Sequence, residues 1–203
     1  EELEKDGSLV KLEKIKHTVN VHERCDTDIE YVSTWQWYIR YLDLKGDFIK
    51  KGREIKWYPD HMRSRYENWI SGLKWDWNIS RQRHFGVPIP VWFCSKCSEI
   101  NVADEKQLPV DPLVDKPIHK CKCGSDEFIP EKDVLDTWAT SSLTPDIAIG
   151  LFDKKTHSKL SPMSLRPQAH DIITFWLFNT VVKSYFHHND VPWKNIMISG
   201  WAL

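Results

Sequence analysis

The sequence predicts an α/β fold that contains half of a nucleotide-binding domain and carries a small metal ribbon. Three observations lead there. The first is the stretch 171–188, DIITFWLFNTVVKSYFHH. Ile172, Ile173, Phe175, Trp176, Leu177, Phe178, Val181 and Val182 leave it no polar face over three turns, so it reads as a buried helix. It follows LSPMSLRPQAH and precedes the turn NDVPWK and the apolar run 195–199, closed by Gly200. Loop, helix, turn, strand and glycine are the grammar of half a nucleotide-binding unit. The second observation is four cysteines in two close pairs. The third is a net charge of −1, which removes any global field that would drive the chain to nucleic acid or membrane.

In chain order, residues 1–21 are charged and mildly alternating, as in VKLEKIKHTVNV, and predict one or two strands with lysines on the wet face. Cys25 follows His22 and Glu23 but has no second cysteine at ligand spacing, so a free, buried or half-buried thiol is expected. Residues 29–33 read as a strand. Tyr38, Leu42, Phe48 and Ile49 lie at loosely helical spacing, with Gly52 as a stop. Pro59 opens a second helix, DHMRSRYENWISG, with Met62, Tyr66, Trp69 and Ile70 on one side and Gly72 at its end. Lys50, Lys51, Arg53, Lys56, Arg63 and Arg65 make this region locally positive. A solvated face and a phosphate-contacting surface both fit that charge. In WNISRQRHFGVPIPVW, Ser80, Arg81, Gln82 and Arg83 lie between aromatic-rich runs, and Gly86, Pro88 and Pro90 impose an extended path.

Cys94 and Cys97 form a C-x-x-C; Cys121 and Cys123 form a C-x-C followed by Gly124. Zn²⁺ takes four deprotonated soft ligands in a tetrahedron, and two short chelating loops supply two each. The polar, Pro-punctuated segment between the pairs is too poor in core residues to fold alone, so a metal clip would stabilise it. His119 is near enough in sequence to replace one sulfur. Four sulfur ligands leave no open position, which makes the expected zinc structural. Further on, Trp138 stands among Thr137, Thr140, Ser141 and Ser142, a pattern that suits a tight pocket or equally a capped core helix. Asp171 reads as a ligand-facing acid or as a helix cap, with Ile172 and Trp176 on its face.

Taken together, NISRQRHFGVPIPVW, the cysteine ribbon, DVLDTWATSS and RPQAHDIITFW resemble the class I aminoacyl-tRNA synthetases of the valine/isoleucine/leucine group. The likeness covers residue 19 to the last and is greatest to the valine branch of archaeal type. Isoleucine enzymes show an acid–glycine pair and a glutamine around the equivalent of Asp171, where this chain has Gln168, Ala169 and Ile172. The resemblance implies that residues 1–68 are the C-terminal part of the editing insertion. Residues 69–93 would return to the catalytic core, 94–132 form the zinc ribbon, and 133–203 give the second half of the Rossmann-like domain.

By the same resemblance, Trp138, Ile172 and Trp176 line the amino-acid pocket, and Asp171, with Gln168, binds the ATP ribose side. Ser199 and Gly200 lie near adenine, and Ser80, Arg81, Gln82 and Arg83 form the return strand on the tRNA side. Ser199 departs from the His-Gly of many relatives, and Trp201 from their smaller residue or His. Valine, ATP with Mg²⁺ and tRNA(Val) are the implied partners of a cytoplasmic, monomeric parent. The HIGH-type and KMSKS-type motifs are absent, so no catalytic residue is assigned. The 203 residues are expected to be a fragment, inactive alone, whose incomplete sheet exposes an edge. An isoleucine enzyme and a non-catalytic zinc module that binds tRNA or a partner stay open as alternatives.

Overall fold

The computed structural model describes residues 1–200, and the expectation for Trp201 lies outside them. The chain divides into two compact units, 1–35 and 36 onward. The first unit contains the short helix α1 (Glu2–Lys5) and a tight reversal in which Val21 bridges Asp28. Asp26 turns that reversal at φ 52°. The strands expected before Val21 and over 29–33 do not form: with Val10, Leu12 and Val32 each at least 75% exposed, no apolar face is buried to fix a register.

The second unit begins with β1 (Tyr38–Ile39), followed by a 3₁₀ turn, Leu42–Leu44, and α2 (Lys45–Glu54). Next come β2 (Lys56–Tyr58), α3 (Met62–Gly72), β3 (Trp77–Asn78) and β4 (Ser80–Arg81). Gly52 does not stop α2. It is a close-approach position: a Cβ there would lie 2.2 Å from the Tyr66 ring. The Tyr66 hydroxyl crosses to the carbonyl of Phe48 at 2.9 Å, and Arg53 holds Glu67 through two bonds of 3.0 Å. Lys45 donates to the carbonyls of Ser71 and Leu73 at the end of α3, where free carbonyls attract a cation.

The ribbon follows as β5 (Val91–Cys94), β6 (Ile100–Val102) and β7 (Phe128–Pro130), with β5 in the middle of an antiparallel sheet. After it come β8 (Val134–Leu135), α4 (Thr137–Ser141), α5 (Thr144–Gly150), α6 (Lys154–Leu160), β9 (Arg166–Ala169), α7 (Trp176–His188) and β10 (Asn195–Ser199). The strand β8 pairs antiparallel with β4, tying the return strand to the segment after the ribbon.

The parallel sheet runs β2–β10–β9, with α7 as the crossover between its last two strands. Trp57 of β2, Ile196 of β10 and Leu177 and Val181 of α7 belong to one core with Phe48 and Tyr66. The boundary between the compact units falls at 35/36, and β2, α2 and α3 contribute to the same core as 133–200. The predicted helix 171–188 is also divided. Asp171–Ile173 form a 3₁₀ turn, Phe175 leaves helical space at φ −114°, ψ −86°, and α7 starts at Trp176. Its far end is capped by Asn189 in the left-handed region at φ 53°, a conformation asparagine tolerates.

Candidate functional site

The four cysteine sulfurs converge to within 4.8 Å of one another. Cys94 lies 3.6 Å from Cys123, and Cys97 lies 3.6 Å from Cys121. Sulfurs at the corners of a tetrahedron about 2.3 Å from a central Zn²⁺ would be about 3.8 Å apart, so the four can hold a metal ion of that size. His119 is exposed and is not part of the cluster. Each cysteine pair sits on a turn of similar construction. The Cys94 N–H donates to Glu99 and the Ser98 N–H to Cys94. On the other side, the Cys121 N–H donates to Ser125 and the Gly124 N–H to Cys121. Gly124 turns at φ 87° and Ser98 at φ 58°. Burial pushes the Cys94 thiol up. The N–H groups of Cys97 and Lys96 and the thiols of Cys97 and Cys123 outweigh it and bring the thiol down to about 6. Ligation of a metal ion requires such thiols to be deprotonated.

Cys25, expected to be buried, is exposed. It lies 3.2 Å from the Thr27 hydroxyl and 3.5 Å from His22 Nδ1. The Thr27 hydroxyl and N–H hold its thiol below the ordinary range.

The second feature is an aromatic cleft of about 740 Å³. The segment 73–76, β3, the ends of β4 and α3 and the starts of α4 and α7 form its walls, with Trp69, Trp75, Trp77, Trp138, Phe175 and Phe178 among the lining residues. The break before α7 presents Phe175 to Trp138. The two rings stack at 5.6 Å and 16°, and Trp69 lies 6.2 Å from Phe175. Trp138 also borders a shallow depression with Thr137, Thr140, Ser141 and Thr144. Two acids face the cleft, Asp76 and Asp136. Asp76 accepts the N–H groups of Tyr41 and Leu42 at 2.9 and 3.0 Å, which hold its carboxyl below the ordinary range.

Of the three residues expected to wall the amino-acid pocket, the cleft lining includes Trp138 but neither Ile172 nor Trp176. Because the helix is interrupted, Ile172 and Trp176 do not share one continuous helical face. Ile172 is partly buried against the core. Trp176 is enclosed: its ring stacks on Trp193 at 5.1 Å, and the Arg166 guanidinium lies 3.4 Å from the ring centre. Its indole N–H donates to Ser141 at 3.1 Å. This last bond ties the end of α4, three residues after Trp138, to the start of α7.

Gln168, Asp171, Ser199 and Gly200 lie at the carboxyl ends of β9 and β10. Gln168 pairs in register with Ile198, and Ala169 with Ser199. The carboxyl edge of a parallel sheet is where such folds take ligands. Asp171 is exposed and caps nothing. Gln168 is buried, and its Oε1 accepts no hydrogen bond among the described residues.

The return strand is anchored firmly. Ser80, 1% exposed, accepts the Trp37 N–H and donates to Gln36, both at 2.8 Å. Arg81 pairs with Asp136 at 3.2 Å, Gln82 donates to Asp133 at 2.6 Å, and Arg83 is exposed. The positive region before it is a solvated face in which Lys51, Arg53 and Arg63 are engaged with Glu54, Glu67 and Asp60. Sequence reasoning had not singled out Asp76, Asp136 or Phe175 as lining a site. The one available signal was the acid two residues before Trp138.

A ribbon with four converging thiols is thus inserted between β2 and the remaining strands, β9 and β10, of a parallel sheet of mixed α/β architecture. A model of the class I tRNA synthetases (I, L, M and V) matches residues 3–203, and the chain belongs to that family. It is 58% identical over 202 residues to the valine–tRNA ligase of Thermoplasma volcanium, covering 98% of this chain and 25% of the relative. It is 57% identical to that of Thermoplasma acidophilum, with the same coverage. The match to the Haloarcula marismortui enzyme is 53%, over 100% of this chain and 24% of the relative. The chain thus spans about a quarter of the length of the curated relatives it matches.

Among solved structures, the LeuRS of Agrobacterium radiobacter K84, in a ternary complex with tRNA and LeuAMS, superposes with a TM-score of 0.52 and 25% identity. That match covers 63% of this chain and 19% of that one. The methionyl-tRNA synthetase of Mycobacterium tuberculosis, bound by methionyl-adenylate, gives a TM-score of 0.52 at 13% identity over 89% of this chain and 29% of that one. It shares the fold. No helix among the described residues is long and apolar enough to cross a membrane.

Proposed function

We propose that this chain is part of a cytoplasmic, monomeric valine–tRNA ligase. In that enzyme the valine carboxylate attacks the α-phosphorus of ATP, releasing pyrophosphate and forming valyl-adenylate. The terminal adenosine of tRNA(Val) then takes the valyl group as an ester. The observation that carries the reading is the identity of more than half of the chain with valine–tRNA ligases over nearly its whole length.

The residues divide the work as follows. Asp171 and Gln168, at the end of β9, accept from the ATP ribose side, and Ser199 and Gly200, at the end of β10, border adenine. Trp138 lines the wall that measures the amino-acid side chain, and Ile172 and Trp176, which lie outside the cleft lining, support it from the core. Such a wall rejects by size and discriminates weakly against the near-isosteric threonine. Ser80 to Arg83 carry the return from the editing insertion, of which residues 1–68 are the C-terminal part. Cys94, Cys97, Cys121 and Cys123 hold a structural Zn²⁺ whose role is to fold the ribbon. Mg²⁺ enters with ATP and neutralises phosphate charge.

The test is valine-dependent ATP–pyrophosphate exchange in the full-length ligase carrying Trp138→Ala. The expected result is a raised KM for valine and a loss of preference for valine over isoleucine. Unchanged KM and unchanged preference would remove Trp138 from the pocket. Exchange that the unaltered enzyme supports with isoleucine in preference to valine would overturn the assignment of the substrate.

A further inference from the structure

We propose that Asp136 is a positioning residue for amino-acid selection, acting through Arg81 on the Trp138 segment. The proposal rests on the reading of Trp138 as a pocket wall. Asp136 is a carboxylate in an unexpected place. Its side chain is 6% exposed, and it lines a cleft whose other walls are largely aromatic. One oxygen, Oδ1, lies 3.2 Å from Arg81 Nη2. The other, Oδ2, is buried and accepts no hydrogen bond among the described residues. A buried carboxylate with one oxygen unsatisfied, paired with an arginine that is itself 39% exposed, is a poor way to add stability, since desolvation of the carboxylate offsets the attraction. What such a pair supplies is a fixed direction.

The bonds around it show which direction. The Asp136 N–H donates to the carbonyl of Ile79 at 2.7 Å, next to the return strand. Its own carbonyl accepts the N–H groups of Ala139 and Thr140 at 2.9 and 3.2 Å, which start α4. Arg81 is itself held, with Nη1 donating to Asn78 Oδ1 at 3.0 Å and to the carbonyl of Ser80 at 2.7 Å. Asn78, Arg81, Asp136 and the first turn of α4 therefore form one connected path. Trp138 is the second residue of that turn and lies nearly parallel to Phe175. Neutralising Asp136 removes the charge that ties this segment to Arg81, which Asn78 and Ser80 still hold, and lets the first turn of α4 shift, which tilts the Trp138 ring against Phe175.

The experiment is valine- and isoleucine-dependent pyrophosphate exchange in the full-length ligase, comparing Asp136→Asn, Asp136→Glu, Arg81→Lys and Trp138→Ala, with thermal melting of each. A small misplacement of a substrate-facing group costs roughly ten- to a hundredfold. Asp136→Asn is expected to raise the KM for valine roughly tenfold, to lower kcat less, and to reduce the valine-over-isoleucine ratio of kcat/KM. Arg81→Lys, which keeps the charge but loses the planar fork, moves the ratio in the same direction. Asp136→Glu restores part of it. If Asp136→Asn does not fold, Arg81→Lys decides by the same readout. An unchanged KM and ratio in a folded Asp136→Asn or Arg81→Lys enzyme, even with a lowered melting temperature, would make the pair merely structural and overturn the proposal. If Trp138→Ala shifts the ratio while the pair variants do not, only the positioning role fails. If Trp138→Ala also leaves it unchanged, the pocket reading itself is wrong.

Discussion

At the scale of single residues, the two cysteine turns differ in the residue that follows the second cysteine of each pair. Gly124 reaches φ 87° without a side chain to oppose it, whereas Ser98 carries a Cβ at φ 58°. The left-handed region costs an L-residue roughly 1–2 kcal/mol. Ser98→Gly should therefore raise the stability of the ribbon by about 1 kcal/mol, read as an upward shift of its urea midpoint in metal-loaded protein. Asp76 acts through protonation. The N–H groups of Tyr41 and Leu42 lower its carboxyl pKa, so the folded state binds its proton less well than the unfolded chain. The stabilisation is present above the ordinary carboxylate range and is lost as pH falls through the depressed folded value. The stability difference between the natural protein and Asp76→Asn should be constant near neutrality and shrink below about pH 4. Denaturant midpoints over that range give the answer, and a difference that grew on acidification would refute the assignment.

At the scale of elements, α2 and α3 depend on contact across Gly52. Gly52→Ala would drive a methyl into the fully buried Tyr66 ring. The expected loss is about 1–3 kcal/mol, with both helices melting together in far-UV circular dichroism. This position also shows what the sequence could and could not reveal. A glycine in a helical pattern ordinarily signals an end, and its spacing does not show that an aromatic ring from another helix fills the space above it. The α3 pattern was legible because Met62, Tyr66, Trp69 and Ile70 recur on one face. The α7 pattern was legible in type but not in boundary, since apolar residues on all sides hide a break that depends on where Phe175 finds Trp138. The cysteine spacing announced its own geometry, because chelation is local. Trp138 kept two readings open in sequence, and Trp176, read as a wall, is packed between Arg166 and Trp193. Asp136 escaped notice because its partner Arg81 is brought beside it only by the pairing of β4 with β8.

At the scale of the molecule, the ribbon and the parallel unit draw on different sources of stability. The core rests on buried aromatics, including Phe48, Tyr66, Phe178 and Trp193, each no more than 1% exposed. The ribbon sheet leaves Ile100, Val102 and Ile129 at least half exposed, so a metal ion held by the four cysteines would supply what its packing does not. Elemental analysis should find one zinc per chain. Chelation should then abolish amide protection in β5, β6 and β7 while α7 and β10 keep theirs, as followed by hydrogen exchange. Loss of protection in both together would make the ribbon part of the core's cooperative unit. The order of the parallel sheet also bears on how the chain is made. Lys56 pairs with Asn195, so β2 leaves the ribosome long before its partner exists. At roughly 5–20 residues per second, the intervening ~140 residues take about 7–28 seconds to synthesise. During that interval Trp57, 3% exposed once folded, waits in water while the ribbon, whose partners lie close in sequence, can already close. The nascent chain therefore presents an unpaired apolar strand to the cell for many times longer than a helix needs to form, and this is the period in which a chaperone would find it.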